Sequence, residues 1–310
     1  MNADHAVETV GAPPAPLRWT SDAVRWTLLH PIAEETKMPS DNKAVIVTGA
    51  ASGMGLAMTI ALLTAGHDVT AVDRNGTALA ELANRAANLR GTVNPVTADL
   101  AQPDSFAHVT ASALIKFGRI DALVNNAGIG QASIRSDQRK DPIRFWDTTP
   151  EQWTRFITVN AAAPINMARA VLPYMLTAKQ GRIITVTTSL GTMVREGYLL
   201  YGSSKAAAES AMAVLAADLA GTGVTSNILV PGGTTNTPLV GEAGDPAKML
   251  QPEIMAPPLL WLLSDEAREV NGKRFIAADW DTSAAPAQAA EKAGAPIAWL
   301  SIARMPIQPA

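Results

Sequence analysis

From Lys43 onward, short β-branched segments alternate with longer Ala- and Leu-rich segments of helical period. That alternation leaves few folds open, because it is the pattern of repeated strand–helix–strand units that build a parallel sheet. The strand candidates are "KAVIVTG", "HDVTAVD", "GTVNPVTAD", "IDALVNNAG", "GRIITVTT", "GVTSNILV" and "KRFIAAD". The helix candidates between them are "GMGLAMTIALLTAG", "ALAELANRAAN", "DSFAHVTASALIKFG", "PEQWTRFITVNAAAPINMARAVLPYMLT" and "YLLYGSSKAAAESAMAVLAADLAG". Seven strands with interleaved helices predict one doubly wound α/β domain over residues 43–280. With 310 residues the chain is long enough to bury a large core. No repeat of 20 to 50 residues and no low-complexity linker divides it. Residues 1–42 read as an N-terminal extension with Trp19 and Trp26 as candidate docking residues, and 281–310 as a C-terminal tail with a short helix around "PAQAAEKAGA".

Composition narrows the partners. The 25 basic residues are scattered, without the clustered Lys/Arg and interleaved aromatics of a nucleic-acid footprint, and the net charge is -3. Cysteine is absent, which excludes disulfides and thiolate metal sites. No apolar run reaches the roughly 18 to 20 residues of a membrane span, and the start "MNADHAVETVGAPPAPLRW" lacks the pattern of a signal peptide. The expectation is a soluble cytoplasmic protein with no nucleic-acid or membrane partner and no metal.

The segment "VIVTGAASGMGLAM" places Gly49, Gly53 and Gly55 after the first strand and at the start of a helix. Glycines there permit a tight turn and let backbone amides approach a pyrophosphate, which the unpaired N–H groups of a helix N-terminus then face. A plain strand-to-helix turn is the alternative. The second strand ends at Asp73, 18 residues beyond Gly55, about where a carboxylate meets the adenosine ribose hydroxyls. Such a carboxylate repels the 2′-phosphate of NADP and favours NAD. The adjacent Arg74 can accept a phosphate, so NADP stays open.

Taken together, "TGAASGMG" from Thr48, "AD" ending at Asp99, "NNAG" at Asn125 to Gly128, "ITVNAAAP" with Asn160, and "YGSSK" resemble, in order, the motifs of the classical short-chain dehydrogenase/reductase family. The resemblance covers about residues 43 to 280. It implies a Rossmann-type, mostly parallel seven-stranded sheet with helices on both faces, and NAD or NADP as cofactor. The implied cofactor-binding residues are Thr48, Gly49, Ser52, Gly53, Met54, Gly55, Asp73, Arg74, Asp99, Leu100, Asn126, Ala127, Gly128, Tyr201, Lys205, Pro231, Gly232 and Thr237. In "VPGGTTNTPLV" Thr235 remains an alternative to Thr237, and the Gly/Thr/Pro composition suits a loop that closes over substrate. The resemblance also implies a homodimer or homotetramer assembled through the helix of Tyr201 and its neighbour.

Tyr201 and Lys205 are i and i+4, so on a helix they share a face. A free tyrosine, with a pKa of about 10, is a poor base at neutral pH, and a fixed ammonium from Lys205 is expected to favour the phenolate. Tyr201 then takes the hydroxyl proton of an alcohol or returns one to a ketone. For the orienting hydroxyl, Thr188 stands 13 residues before Tyr201, the register the resemblance implies, and Ser189 stands 12 before it with the usual residue type. Asn160 is implied to hold a water that links the lysine to solvent. The loops "IGQASIRSDQRKDPIRFWD" and "MVREGYLL" carry the specificity, with Arg195 and Tyr198 near the hydroxyls; Phe145, Trp146 and Trp153 form either an apolar wall or core. Trp280 and the tail are expected across the substrate cleft or against a neighbouring subunit. The resulting expectation is an oxidoreductase moving a hydride between a nicotinamide cofactor and a secondary alcohol or ketone. The alternative is a catalytically idle cofactor-binding redox sensor or scaffold.

Overall fold

The computed structural model describes residues 42–138, 140–241 and 245–301. Trp19, Trp26 and the rest of residues 1–41 lie outside the described residues. Seven strands follow the segments expected from the sequence: β1 (Ala44–Thr48), β2 (Asp68–Asp73), β3 (Val93–Thr97), β4 (Ala122–Asn125), β5 (Gly181–Val186), β6 (Val224–Val230) and β7 (Lys273–Ile276). They pair in parallel in the order β3-β2-β1-β4-β5-β6-β7. The order reverses between β1 and β4, and a doubly wound sheet opens its ligand crevice at the carboxyl ends of the strands on either side of such a reversal.

The helices are α1 (Gly53–Ala65), α2 (Gly76–Ala86), α3 (Asp104–Phe117), α4 (Pro150–Ile157), α5 (Ala163–Ala178), α6 (Leu190–Met193), α7 (Leu199–Asp218), α8 (Ala256–Leu263) and α9 (Pro286–Ala293). They cover both faces of the sheet, because β1 is buried at every position and its side chains alternate between two cores. Val45 and Val47 join Met58, Leu62, Leu79 and Leu259 on one face, whereas Ile46 joins Val109, Met167, Val171 and Met212 on the other. No helix among the described residues is long and apolar enough to cross a membrane.

Three features depart from the sequence reading. The sheet has eight strands, since β8 (Gly294–Pro296) pairs antiparallel with β7. Its composition, Gly-Ala-Pro, carries no strand signal, and the pairing forms because it covers the open edge of β7 while Pro296 ends it. The long helix expected over 150–177 is broken by a π-helical segment, Thr158–Ala162. Pro164 lies four residues after Asn160, where its ring would meet the Asn160 carbonyl in a regular α-helix, and the wider turn relieves that clash. Trp280 packs on Trp261 of α8, with ring centroids 5.6 Å apart, and joins the core beside Phe275 instead of crossing the cleft.

Helix α5 ends at Lys179, which holds the left-handed conformation at φ 52° with its side chain exposed. Glycine adopts this conformation without the Cβ penalty. Lys179→Gly is therefore expected to raise stability by about 0.5–1 kcal/mol, seen as a higher urea midpoint with an unchanged m-value.

Candidate functional site

The turn between β1 and α1 is built for close approach. Gly49 and Gly53 adopt φ 64° and φ 51°, and a Cβ on Gly55 would run into the Gly49 carbonyl and the Asn126 amide. The Thr48 hydroxyl fixes this turn to the next loop by accepting from the backbone N–H groups of Asn126 and Ala127, both at 3.0 Å. Asn126 returns the tie through Nδ2, which donates to the carbonyls of Thr48 at 3.0 Å and Gly49 at 3.2 Å. Asn125 points the other way and donates to Pro164 O and Thr185 Oγ1, supporting the sheet.

Above this turn, at the reversal of strand order, lies a cavity of about 490 Å³. Gly49, Ser52, Gly53 and Met54 floor it, and Ser52, the N-cap of α1, makes no capping bond of its own. Asp73 and Arg74 line it from the end of β2, Asp99 and Leu100 from the end of β3, and Asn126, Ala127 and Gly128 from the end of β4. The Asp73 carboxylate accepts from Ala51 N at 3.1 Å and Asn75 N at 3.0 Å, which sets it beside the glycine turn. Thr237 lines the cavity and packs over Gly53, while Thr235 is buried and bonded to Gly233 O. Pro231 and Gly232 are not among the lining residues. Size, glycine floor, helix N-terminus and placed carboxylate together fit a dinucleotide.

Gly128 joins this cavity to a second cluster. A Cβ there would stand 3.1 Å from Asn160 Oδ1 and 3.4 Å from Lys205 Nζ. The π-helical segment turns Asn160 inward, where it is 1% exposed, accepts from Ile129 N at 2.8 Å, and donates to Ile129 O and Ser204 Oγ at 3.0 Å each. Lys205 is buried on α7, donates to Val186 O at 3.0 Å, and lies 6.0 Å from the centre of the Tyr201 ring. The hydroxyls of β5 divide cleanly. Thr188 stands beside Tyr201, where its hydroxyl favours the ionised phenol. Ser189 is exposed and paired with Thr192 Oγ1 at 2.7 Å, and Thr187 is buried against Glu209 at 2.6 Å.

The electrostatics differ from the sequence expectation. Burial pushes the Tyr201 phenol up to about 12, Tyr198 adds to this, and the Thr188 hydroxyl opposes it. Burial also pushes the Lys205 ammonium down to about 8. Desolvation is the largest cause of both shifts and favours the neutral form of each group.

Around this cluster, Phe145 and Trp146 are exposed and line a surface groove with Met193, Arg195 and Tyr198; they are not core, and Trp153 is 39% exposed. Arg195 stacks over the Tyr198 ring at 5.0 Å. Two buried charges escaped the sequence reading, Glu209 in the middle of an Ala-rich helix and Arg274 in a strand beside Phe275 and Ile276. Gln131 also escaped it, buried and donating to Gly197 O across the two specificity loops. No cluster of potential metal ligands occurs among the described residues.

Residues 43–248 match the protein family described as short chain dehydrogenase. The chain is 30% identical over 247 residues to a 3-oxoacyl-(acyl-carrier-protein) reductase of Thermotoga maritima, an alignment that spans 76% of this chain and 96% of the relative. It is 30% identical over 248 residues to a D-threitol dehydrogenase of Mycolicibacterium smegmatis, spanning 76% and 91%. Similarity to a 2-(R)-hydroxypropyl-CoM dehydrogenase of Xanthobacter autotrophicus is again 30%, over 249 residues, spanning 76% and 96%.

Burial holds Lys205 at about 8, against 10.5 for an ordinary lysine, so between these values the unfolded chain carries the extra proton. Wild-type stability should thus rise with pH across that window, by about 3 kcal/mol in total. Lys205→Met lacks this rise. Urea denaturation of both proteins at neutral pH and near the top of the window is expected to show the variant's relative stability falling as pH increases.

Proposed function

The chain belongs to the short chain dehydrogenase family and is an oxidoreductase; from that premise we propose that it interconverts a secondary alcohol and a ketone with Tyr201 as acid/base and NAD as the preferred cofactor. The observation that carries this reading is the cluster of Tyr201, Lys205 and Asn160, with Thr188 beside the phenol, joined through Gly128 to the cavity. The names of the relatives agree in kind, being a 3-oxoacyl reductase, a threitol dehydrogenase and a hydroxypropyl-CoM dehydrogenase.

In this mechanism the glycine turn, Asp73, Asp99, the Asn126–Gly128 loop and Thr237 hold the dinucleotide. A nicotinamide held there would supply the hydride donor or acceptor. Thr188 Oγ1 hydrogen-bonds the substrate oxygen and fixes it within reach of the phenol. In reduction Tyr201 donates its proton to the nascent alkoxide, and a phenol that burial keeps protonated is suited to that task. In oxidation it must take a proton, and Lys205 then matters as a nearby cation that stabilises the phenolate. Asn160 holds the Ile129 backbone and Ser204 in register around the lysine.

NAD is preferred over NADP because the Asp73 carboxylate lies at the end of β2 and would repel a 2′-phosphate. Assembly is proposed to be homodimeric or homotetrameric through α5 and α7, which expose Tyr174, Leu176 and Val214.

A panel of ketones and secondary alcohols, followed by nicotinamide absorbance, should reveal turnover that Tyr201→Phe lowers by at least about 100-fold. Cofactor binding without turnover, unchanged by that substitution, would point to a scaffold. Thr188→Val should lower kcat by about tenfold or more, whereas Ser189→Ala should stay within about twofold. Wild type should bind NADH more tightly than NADPH by fluorescence titration, and Asp73→Ala should narrow or reverse the difference. A wild type that prefers NADPH overturns the role of Asp73.

A further inference from the structure

A carboxylate and a guanidinium that the proposed chemistry does not use are buried directly behind its hydroxyls. Glu209 of α7 is 0% exposed and the Arg274 side chain of β7 is 6% exposed; Arg274 Nε donates to Glu209 Oε1 at 2.9 Å. Both groups reach towards the same two residues. Thr187 Oγ1 donates to Glu209 Oε2 at 2.6 Å, and Arg274 Nη2 donates to the Thr188 carbonyl. From the other side Ala298 N, in the chain just after β8, donates to Glu209 Oε1 at 3.2 Å.

Two observations separate this pair from ordinary packing. Two opposite charges buried together contribute little net stability, since the attraction is largely offset by the loss of hydration. The pair also stands where the sheet stops holding the chain. The β5–β6 ladder ends with Thr187 N donating to Leu229 O at 3.3 Å, and just beyond it the Thr188 carbonyl accepts from Arg274. A guanidinium can serve a carboxylate and a carbonyl at once, which an ammonium on a flexible stem cannot do in one fixed geometry.

We propose that the Glu209–Arg274 pair is a positioning device for Thr188: it fixes the backbone at Thr187 and Thr188 so that the Thr188 hydroxyl meets Tyr201 and the substrate oxygen. Neither residue touches the reacting atoms, and the proposal rests on Thr188 being the orienting hydroxyl. Through Ala298, the same carboxylate makes the register of this hydroxyl depend on the docked C-terminal segment.

The test is a double-mutant cycle between Arg274→Lys, which keeps the charge, and Thr188→Val, with ethyl acetoacetate as probe ketone and NADH as reductant. Arg274→Lys is expected to lower kcat by about tenfold or more while the NADH dissociation constant stays within about twofold, and to lose most of its effect in the Thr188→Val background. A crystal structure of Arg274→Lys should show the Thr188 hydroxyl moved away from the Tyr201 phenol. An unchanged kcat in Arg274→Lys, an undiminished effect in the Thr188→Val background, or an unmoved Thr188 hydroxyl in the crystal each overturns the proposal. If Thr188→Val leaves kcat unchanged, the orienting role is what fails, and the crystal structure alone then decides whether Arg274 positions that residue. Should Arg274→Lys not fold, the paired replacement Arg274→Met with Glu209→Leu, which removes both buried charges together, carries the same measurements.

Discussion

A parallel sheet has to be covered on both faces, because its crossover connections place helices there and its strands are apolar throughout. That constraint divides β1 between two cores and puts the cavity at the carboxyl ends of the strands. Reversal of strand order at β1 and β4 then opens one crevice, and five strand ends deliver the residues of the site: β1 the glycine turn, β2 Asp73, β3 Asp99, β4 the Asn126–Gly128 loop, and β5 Thr188. The Thr48 hydroxyl, bonded to two backbone amides of the β4 loop, couples the cofactor cradle to Gly128 and hence to Asn160 and Lys205.

Burial and reactivity oppose each other within this cluster. Desolvation moves Tyr201 and Lys205 in opposite directions, and both shifts favour the neutral forms. A neutral phenol is a ready proton donor and a poor acceptor. Thr188 is the side chain that counters desolvation at the phenol.

The far edge of the sheet shows how a weak sequence signal becomes structure. Gly294–Pro296 has no preference for an extended strand, yet it pairs with β7 and closes an edge that would otherwise be open to another chain. Its continuation delivers Ala298 N to Glu209, so the tail contributes to the environment of Thr187 as well as to the sheet. Trp280, which seemed free to cover a cleft, is instead held in the core by Trp261 of α8.

Local sequence determined the seven parallel strands, the glycine turn, and the placement of Asp73, Asp99, Asn126, Tyr201 and Lys205, because apolar periodicity, backbone permissiveness and i,i+4 spacing act within a few residues. The choice between Thr188 and Ser189 was undecidable there, since one register step separates them and only the turn into α6 aims one hydroxyl at Tyr201 and the other at Thr192. Tertiary structure alone decided the π-helical turn that points Asn160 inward, the eighth strand, and the meeting of Glu209 with Arg274 across 65 residues of chain. Each of these depends on a partner distant in sequence, and burial, which reverses the expected electrostatics of the tyrosine and lysine, exists only once those partners have packed.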